Sequence, residues 1–246
     1  MDEVPLVELT NIHKSFGRVC ALEGVDVSVN HNEVVGLVGD NGAGKSTLIK
    51  ILSGVYQPDQ GEIRWEGKKV KFSSPKDAIR IGIETIHQEA ALVDKMSIMR
   101  NIFIGREPVV KIGPVGWLDI KKMAKESMKA LEGVALYLRS LEAPVEELSG
   151  GQRQGVAIAR AMYFKTKLLI LDEPTNNLSV KESKRILEFV TDLKSQGVSS
   201  IFITHNLYHV YPIADKIVVL SHGRKIGEFK KEETSVDKLT ELITLK

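Results

Sequence analysis

A chain of 246 residues, 43% hydrophobic and 27% charged, has room for one large α/β domain with a substantial core and excludes a disordered or fibrous polymer. Lys and Arg outnumber Asp and Glu by only 34 to 32, with no long block of like charge, so no nucleic-acid partner is expected. A single cysteine, Cys20, excludes an internal disulfide and suits a reducing compartment. Met1 to Pro5 carries two acids and no secretory-type apolar run, and nowhere do about eighteen apolar residues follow one another. The expectation is a cytoplasmic chain whose membrane contact is peripheral.

Alternation at Val7 and Leu9, then at Val25, Val27 and Val29, predicts half-buried antiparallel strands, and the continuous apolar run Val34 to Val38 predicts a buried one. Glu62 to Trp65 and Lys69 to Phe72 flank Gly67 as a hairpin, and Ile83 to Ile86 is a further short strand. From Ser97 to about Gly133 helical spacing takes over, broken by a Gly- and Pro-bearing loop from Gly105 to Gly116, with a second helix opening at Asp119. There follow a helix beginning near Gly150, a strand Leu168 to Leu171, a helix from Val180, a strand Ser200 to Thr204 and a hairpin turning at His222-Gly223. Strand-helix alternation of this kind predicts a parallel sheet. Ser179 and Glu182 are spaced as a capping box ahead of Ile186, Leu187, Val190 and Leu193.

Gly39-Asp40-Asn41-Gly42-Ala43-Gly44-Lys45-Ser46, with Thr47 beyond it, fits the phosphate-binding loop pattern and lies between a buried strand and an apolar helix. Glycines let backbone N–H groups turn toward phosphate oxygens, and the helix start adds partial positive charge. Lys45 reaches the β- and γ-phosphates, and Ser46 can ligate Mg²⁺. Leu168 to Leu171 runs into Asp172-Glu173. Asp172 at the strand end is placed to bind Mg²⁺, and Glu173 to orient and deprotonate a water. Leu148-Ser149-Gly150-Gly151-Gln152 opens a helix with a hydroxyl and two glycine N–H groups, a second anion site whose plainer reading is an N-cap.

In that order, Gly39 to Ser46, Gln88, Leu148 to Gln152, Asp172-Glu173 and His205 resemble the ATP-binding cassette (ABC) ATPases along nearly the whole chain. The resemblance implies a P-loop NTPase (RecA-like) α/β core with an antiparallel β subdomain and an inserted α-helical subdomain. Residues 1–90 and 165–246 would form the core and about 91–164 the helical part of one nucleotide-binding domain. It implies that Phe16 stacks on adenine, that Gln88 touches Mg²⁺ or the attacking water and links the site to a transporter, and that His205 contacts the γ-phosphate. Ser149, Gly150, Gly151 and Gln152 would then face the ATP held by a second copy of the cassette. His209, four residues beyond His205, has the spacing of a two-histidine metal site, but beside a P-loop no zinc site is expected. Ser179 stands where the family's D-loop commonly ends in aspartate, which keeps the N-cap and removes a charge.

Ile86-His87-Gln88-Glu89 and Asn101-Ile102-Phe103-Ile104-Gly105-Arg106-Glu107 are similar to ATPases of bacterial monosaccharide importers, as are Lys181-Glu182-Ser183 and His205-Asn206. With one P-loop and one signature, the sequence reads as a single-cassette version or half of a longer protein. The resemblance implies membrane permease subunits as partners on the inner face of the membrane, a sugar-binding protein indirectly, and ATP with Mg²⁺ as ligands. Ala90 to Ile104, rich in Met, Leu, Ile and Phe, reads as core or as the groove for a permease helix. Two rival classes are a P-loop kinase, disfavoured by Glu173 and the signature run, and a non-transport ABC ATPase acting on nucleic acid or ribosomes, which would show basic patches or paired cassettes.

Overall fold

The computed structural model describes residues 4–86, 92–112, 115–134 and 136–244. Its strands are β1 (Val7–Phe16), β2 (Val19–Val29), β3 (Val34–Val38), β4 (Gln60–Trp65), β5 (Lys68–Val70), β6 (Ile83–Ile86), β7 (Val109–Ile112), β8 (Val115–Leu118), β9 (Leu168–Asp172), β10 (Ser199–Ile203), β11 (Lys216–Ser221) and β12 (Arg224–Lys230). The helices are α1 (Lys45–Leu52), α2 (Pro75–Ile81), α3 (Ile98–Phe103), α4 (Ile120–Gly133), α5 (Gly150–Tyr163), α6 (Val180–Ser195), α7 (Leu207–Val210) and α8 (Val236–Thr244). No helix among the described residues is long and apolar enough to cross a membrane.

The expected parallel sheet is present, in the order β12-β11-β3-β10-β9-β6, with only β12 antiparallel at the edge. Its inner strands β3, β9, β10 and β11 are buried on both faces because both faces are covered, and the two-residue period sorts their apolar side chains between two cores. Leu168 and Ile170, Ile201 and Ile203, and Val218 and Leu220 pack toward α1 and the antiparallel sheet β2-β1-β4-β5. Leu169 and Leu171, Phe202, and Ile217 and Val219 pack on the other side with residues of α5, α6 and α8. A third core, built from Ile98, Met99, Ile102, Phe103, Met123, Leu131 and Val145, holds the helical segment together. Helix α5 belongs to two of these cores: Val156 and Ala159 enter the third, Ala157, Ile158 and Ala161 the second.

The hairpin around Gly67 forms as β4 and β5, and the turn at His222-Gly223 joins β11 to β12. Asp119 caps α4, its side chain accepting from the Lys122 N–H, and Ser179 and Glu182 form the capping box of α6. The segment expected as a loop from Gly105 to Gly116 differs. It carries the antiparallel pair β7 and β8, with Val109 opposite Leu118 and Val110 opposite Trp117. The β-branched and aromatic residues flanking Gly113-Pro114 are a hairpin signal that outweighs the loop punctuation. Val109, Val110, Trp117 and Leu118 remain exposed, and none joins a core.

Two polar devices fix the helical segment. Asn101, fully buried on α3, accepts from Val93 N–H (2.7 Å) and donates to the carbonyls of Val93, Met96 and Ser97 (3.0–3.1 Å). It therefore templates the turn that leads into α3. Arg106, just after α3, pairs with the buried Glu84 on β6 and lies 4.1 Å from the centroid of the Phe164 ring. Half-buried Arg160 of α5 lies near the same carboxylate, and desolvation lowers its pKa. The sheet and the helical segment are thus joined by charge as well as by apolar contact. In the stretch Ala90 to Ile104, Ile98, Met99, Ile102 and Phe103 are core, whereas Val93 and Ile104 are exposed. Val93 lines a shallow depression with Met96, Arg100 and Glu142.

Replacing Asn101 by Ala should strand the Val93 N–H, while the carbonyls of Val93, Met96 and Ser97 keep the backbone N–H groups of Met96, Val145 and residue 101, and should destabilise the chain by about 1–3 kcal/mol. Urea unfolding checks this. A loss under about 1 kcal/mol would mean that the Val93–Ser97 turn holds itself.

Candidate nucleotide site

Three consecutive strands of the parallel sheet deliver the site. β10 lies between β3 and β9, with Ile203 level with Leu37 on one side and Asp172 on the other. The loops leaving their carboxyl ends therefore meet at one edge, the usual ligand position of an open α/β sheet. From β3 comes the phosphate loop. Gly39 adopts φ 145°, and a Cβ there would fall 2.1 Å from the Leu220 carbonyl oxygen, so only glycine fits. The loop then turns into α1 at Gly44, leaving Ser46 exposed and Thr47 half-buried on the first turn. Asp40, Asn41 and Gly42 are exposed at the loop's outer rim, while Ala43 is buried beneath it.

Lys45 is 7% exposed and folds back over the loop, donating to the carbonyls of Gly39 (2.6 Å) and Asp40 (2.9 Å). Desolvation lowers its pKa, opposed by the negative charges of Glu173, Asp40 and Asp172. Asp172 and Glu173 arrive with β9. Asp172 ends the strand, and Glu173 immediately takes a left-handed conformation, φ 50°, with its N–H donating to the Ile203 carbonyl (3.0 Å). A glutamate in that region is strained, and such strain concentrates where a side chain must be aimed.

Glu173 Oε1 lies 2.9 Å from His205 Nδ1, just beyond β10. Its Oε2 is buried with no hydrogen-bond partner. A buried carboxylate oxygen without a donor is costly and calls for a ligand. The His205 side chain is 57% exposed, and its contact in this structure is with Glu173. His209, raised as a metal-spacing residue, instead places Nδ1 3.0 Å from the buried Thr175 hydroxyl, tying α7 to the turn after Glu173.

Ser46 and Asp172 offer hydroxyl and carboxylate oxygens, the hard donors suited to Mg²⁺ beside nucleotide phosphates. Gln88, expected to complete that set, lies outside the described residues. Phe16 closes β1 at the surface, 42% exposed, its ring edge-on to Tyr56 at 5.1 Å with Lys14 Nζ 5.6 Å from its centroid. Structure thus brings Lys45, Asp40, Asp172, Glu173 and His205 together.

Ser149 to Gln152 stand apart from that group. Ser149 caps α5, its hydroxyl accepting from Gln152 N–H, and the Gln152 side chain returns to the Ser149 N–H. The remaining partner of Ser149 Oγ and of Gly151 N–H is Glu182, on α6. Among the described residues these three form no hydrogen bond to the phosphate loop. Sequence spacing gives Glu182 its capping role but not this second one, because the contact spans 31 residues.

A phosphate loop, a paired carboxylate strand and a separate capped anion site on one α/β sheet define a nucleotide-hydrolysing cassette. Residues 22–176 match the family described as ABC transporter, and the chain belongs to that family. It is 50% identical over 239 residues, 97% of its length and 94% of the relative's, to the xylose/arabinose import ATP-binding protein XylG of Sulfolobus acidocaldarius. It is 44% identical to the fructose import ATP-binding protein FrcA of Rhizobium meliloti, across 92% of this chain and 88% of that one. The ribose import ATP-binding protein RbsA 1 of Agrobacterium fabrum is 40% identical over 97% of this chain, which spans 46% of that longer relative.

Among solved structures, a nucleotide-free ATP-binding cassette from an ABC transporter superposes with TM-score 0.83 at 29% identity, covering 97% of this chain and 98% of that one. A post-hydrolysis dimer of another cassette bound to ADP and Pi gives 0.77 at 25% identity, covering 92% and 98%. The chain is an ATP-binding and ATP-hydrolysing subunit of that class.

Glu173→Gln keeps the shape of the site and removes the carboxylate that the sequence assigns as base. ATP affinity should stay within about twofold while turnover falls by about 10²- to 10⁴-fold. A phosphate-release assay retaining more than about half the parent rate would remove Glu173 from the role.

Proposed function

We propose that this chain energises the import of a monosaccharide through a membrane permease, working as a pair of cassettes with ATP and Mg²⁺. The sugar assignment is supported by likeness to sugar-import ATP-binding proteins, 50% identical across nearly the full length of both chains in the case of XylG. The catalytic assignment is supported by one observation above others, the partnerless buried Oε2 of Glu173 beside the phosphate loop.

In this reading Phe16 stacks on adenine, and Gly39 to Thr47 wrap the phosphates with backbone N–H groups. Lys45 exchanges its two carbonyl partners for the β- and γ-phosphates, a change from neutral to anionic acceptors that strengthens both bonds. Ser46, Asp172 and Gln88 would hold Mg²⁺, which when bound neutralises charge on the β- and γ-phosphates. Glu173 takes a proton from water at Oε2, while His205 Nδ1 holds Oε1 and keeps the carboxylate aimed. The other imidazole nitrogen of His205 is then available to the γ-phosphate. Ser149, Gly150, Gly151 and Gln152 of a second chain supply donors from the opposite side, so that two helix N-termini converge on one γ-phosphate. We place the chain as one nucleotide-binding domain, with residues 1–90 and 165–246 as its core and about 91–164 as its helical part. It would sit on the inner face of the membrane and meet a sugar-binding protein only indirectly.

Two experiments test this reading. Lys45→Ala and Ser149→Arg should each abolish turnover alone, and mixing them should restore part of it, because one of the two sites in a mixed dimer is intact. If Ser149→Arg hydrolyses ATP normally as a monomer, the shared site is wrong. The chain should also co-purify with a multi-spanning permease and bind no monosaccharide alone. Micromolar sugar binding by calorimetry would contradict the transport assignment.

A further inference from the structure

The anion site at the start of α5 is already filled by the chain itself. Glu182, in the first turn of α6, places Oε1 3.2 Å from Ser149 Oγ and 3.2 Å from the Gly151 nitrogen. Its Oε2 accepts from the Ser179 hydroxyl (2.8 Å) and the Ser179 N–H (3.1 Å). The fit is close: a Cβ on Gly151 would lie 2.7 Å from Oε1 and 2.8 Å from Cγ of Glu182. Ser179 first, then the N–H of Gly151 and the hydroxyl of Ser149, hold the carboxyl below the usual range, as expected for an anion gathering donors.

Because the Ser149 hydroxyl also accepts from Gln152 N–H, its single proton is committed to Glu182. The Ser149 hydroxyl and the Gly151 N–H of this helix start therefore already point at a carboxylate. A phosphate brought to the same place would meet donors in use and a like charge within hydrogen-bonding distance of them.

We propose that Glu182 is an internal stand-in for phosphate, occupying the α5 anion site in the separate chain and withdrawing when the ATP of a second chain is engaged there. This rests on the shared-site reading above. Glu182 is a positioning residue: it contacts no reacting atom and acts by withholding Ser149 and Gly151. Since its other oxygen caps α6, withdrawal also loosens the Ser179 turn, only six residues beyond Glu173 in the chain. Arrival of the second chain's nucleotide is thereby reported to the turn that follows the catalytic strand.

The test uses the full chain carrying Glu173→Gln, so that ATP persists, and compares it with the same chain carrying Glu182→Gln as well. Glutamine keeps the capping geometry, since its side-chain carbonyl can still accept, and removes the charge. Light scattering over a range of ATP concentrations reads the half-point for dimerisation, and nucleotide affinity is measured at protein concentrations too low to dimerise. The inference expects the half-point to fall about tenfold in the double variant, with affinity of the separate chain unchanged.

A merely structural cap would leave the half-point in place or raise it, and either result overturns the inference while the shared site stands. If neither chain dimerises at any ATP concentration, the shared-site reading fails and the inference fails with it. Glu182→Ala guards against a hydrogen bond retained by glutamine: it should move the half-point in the same direction although it melts lower.

Discussion

The pairing of β10 between β3 and β9 is the constraint on which the rest depends. Parallel strands sit about 4.8 Å apart, and their register here is set by burial on both faces, where a slip of one residue would exchange the contents of two cores. With Ile203 level with both Leu37 and Asp172, the Thr204 N–H reaches the Leu37 carbonyl and the Glu173 N–H reaches the Ile203 carbonyl. The loops after β3 and β9, with no sequence proximity, are thereby each stitched within one strand spacing of the loop after β10. The lysine, the carboxylates and the histidine of the site come from those three loops.

The charges so assembled are held by internal partners. Lys45 is bound by carbonyls of its own loop, Glu173 by His205, and the start of α5 by Glu182. Each arrangement satisfies a group that would be costly to leave bare, and in the proposed reading the partners of Lys45 and of the α5 start are exchanged for phosphate. Among the described residues the buried Oε2 of Glu173 has no hydrogen-bond partner to exchange. In the proposed reading that asymmetry separates the groups that bind nucleotide from the atom that would act on water.

Much of this was legible in the sequence because the relevant signals are local. A buried run followed by Gly39 to Ser46, another ended by Asp172-Glu173, and a serine with Glu or Gln three residues on each follow from backbone geometry over a few positions. What escaped is contact across the chain. The four hydrogen bonds of buried Asn101, the Glu84–Arg106 pair with Phe164, and the reach of Glu182 to Ser149 and Gly151 depend on packing that no spacing rule encodes. The hairpin β7–β8 departs from the expected loop for a different reason. Glycine and proline punctuate loops and hairpins alike, and only the Val- and Trp-bearing flanks distinguish them.

Helix α5 presses one side into the core of the sheet and another into that of the helical segment, and does so largely with small residues. An added methyl group at Ala157 would be resisted by the sheet, and one at Ala159 by the helical core, so neither neighbour can yield for the other. The β7–β8 hairpin has no such obligations, since its exposed Val109, Val110, Trp117 and Leu118 enter no core. Lengthening it costs only slowly growing loop entropy, about 0.6 kcal/mol per doubling. The helical segment therefore has one rigid margin and one free margin, and changes in its size or outer shape can be accommodated at the hairpin without disturbing the helix that presents Ser149 to Gln152.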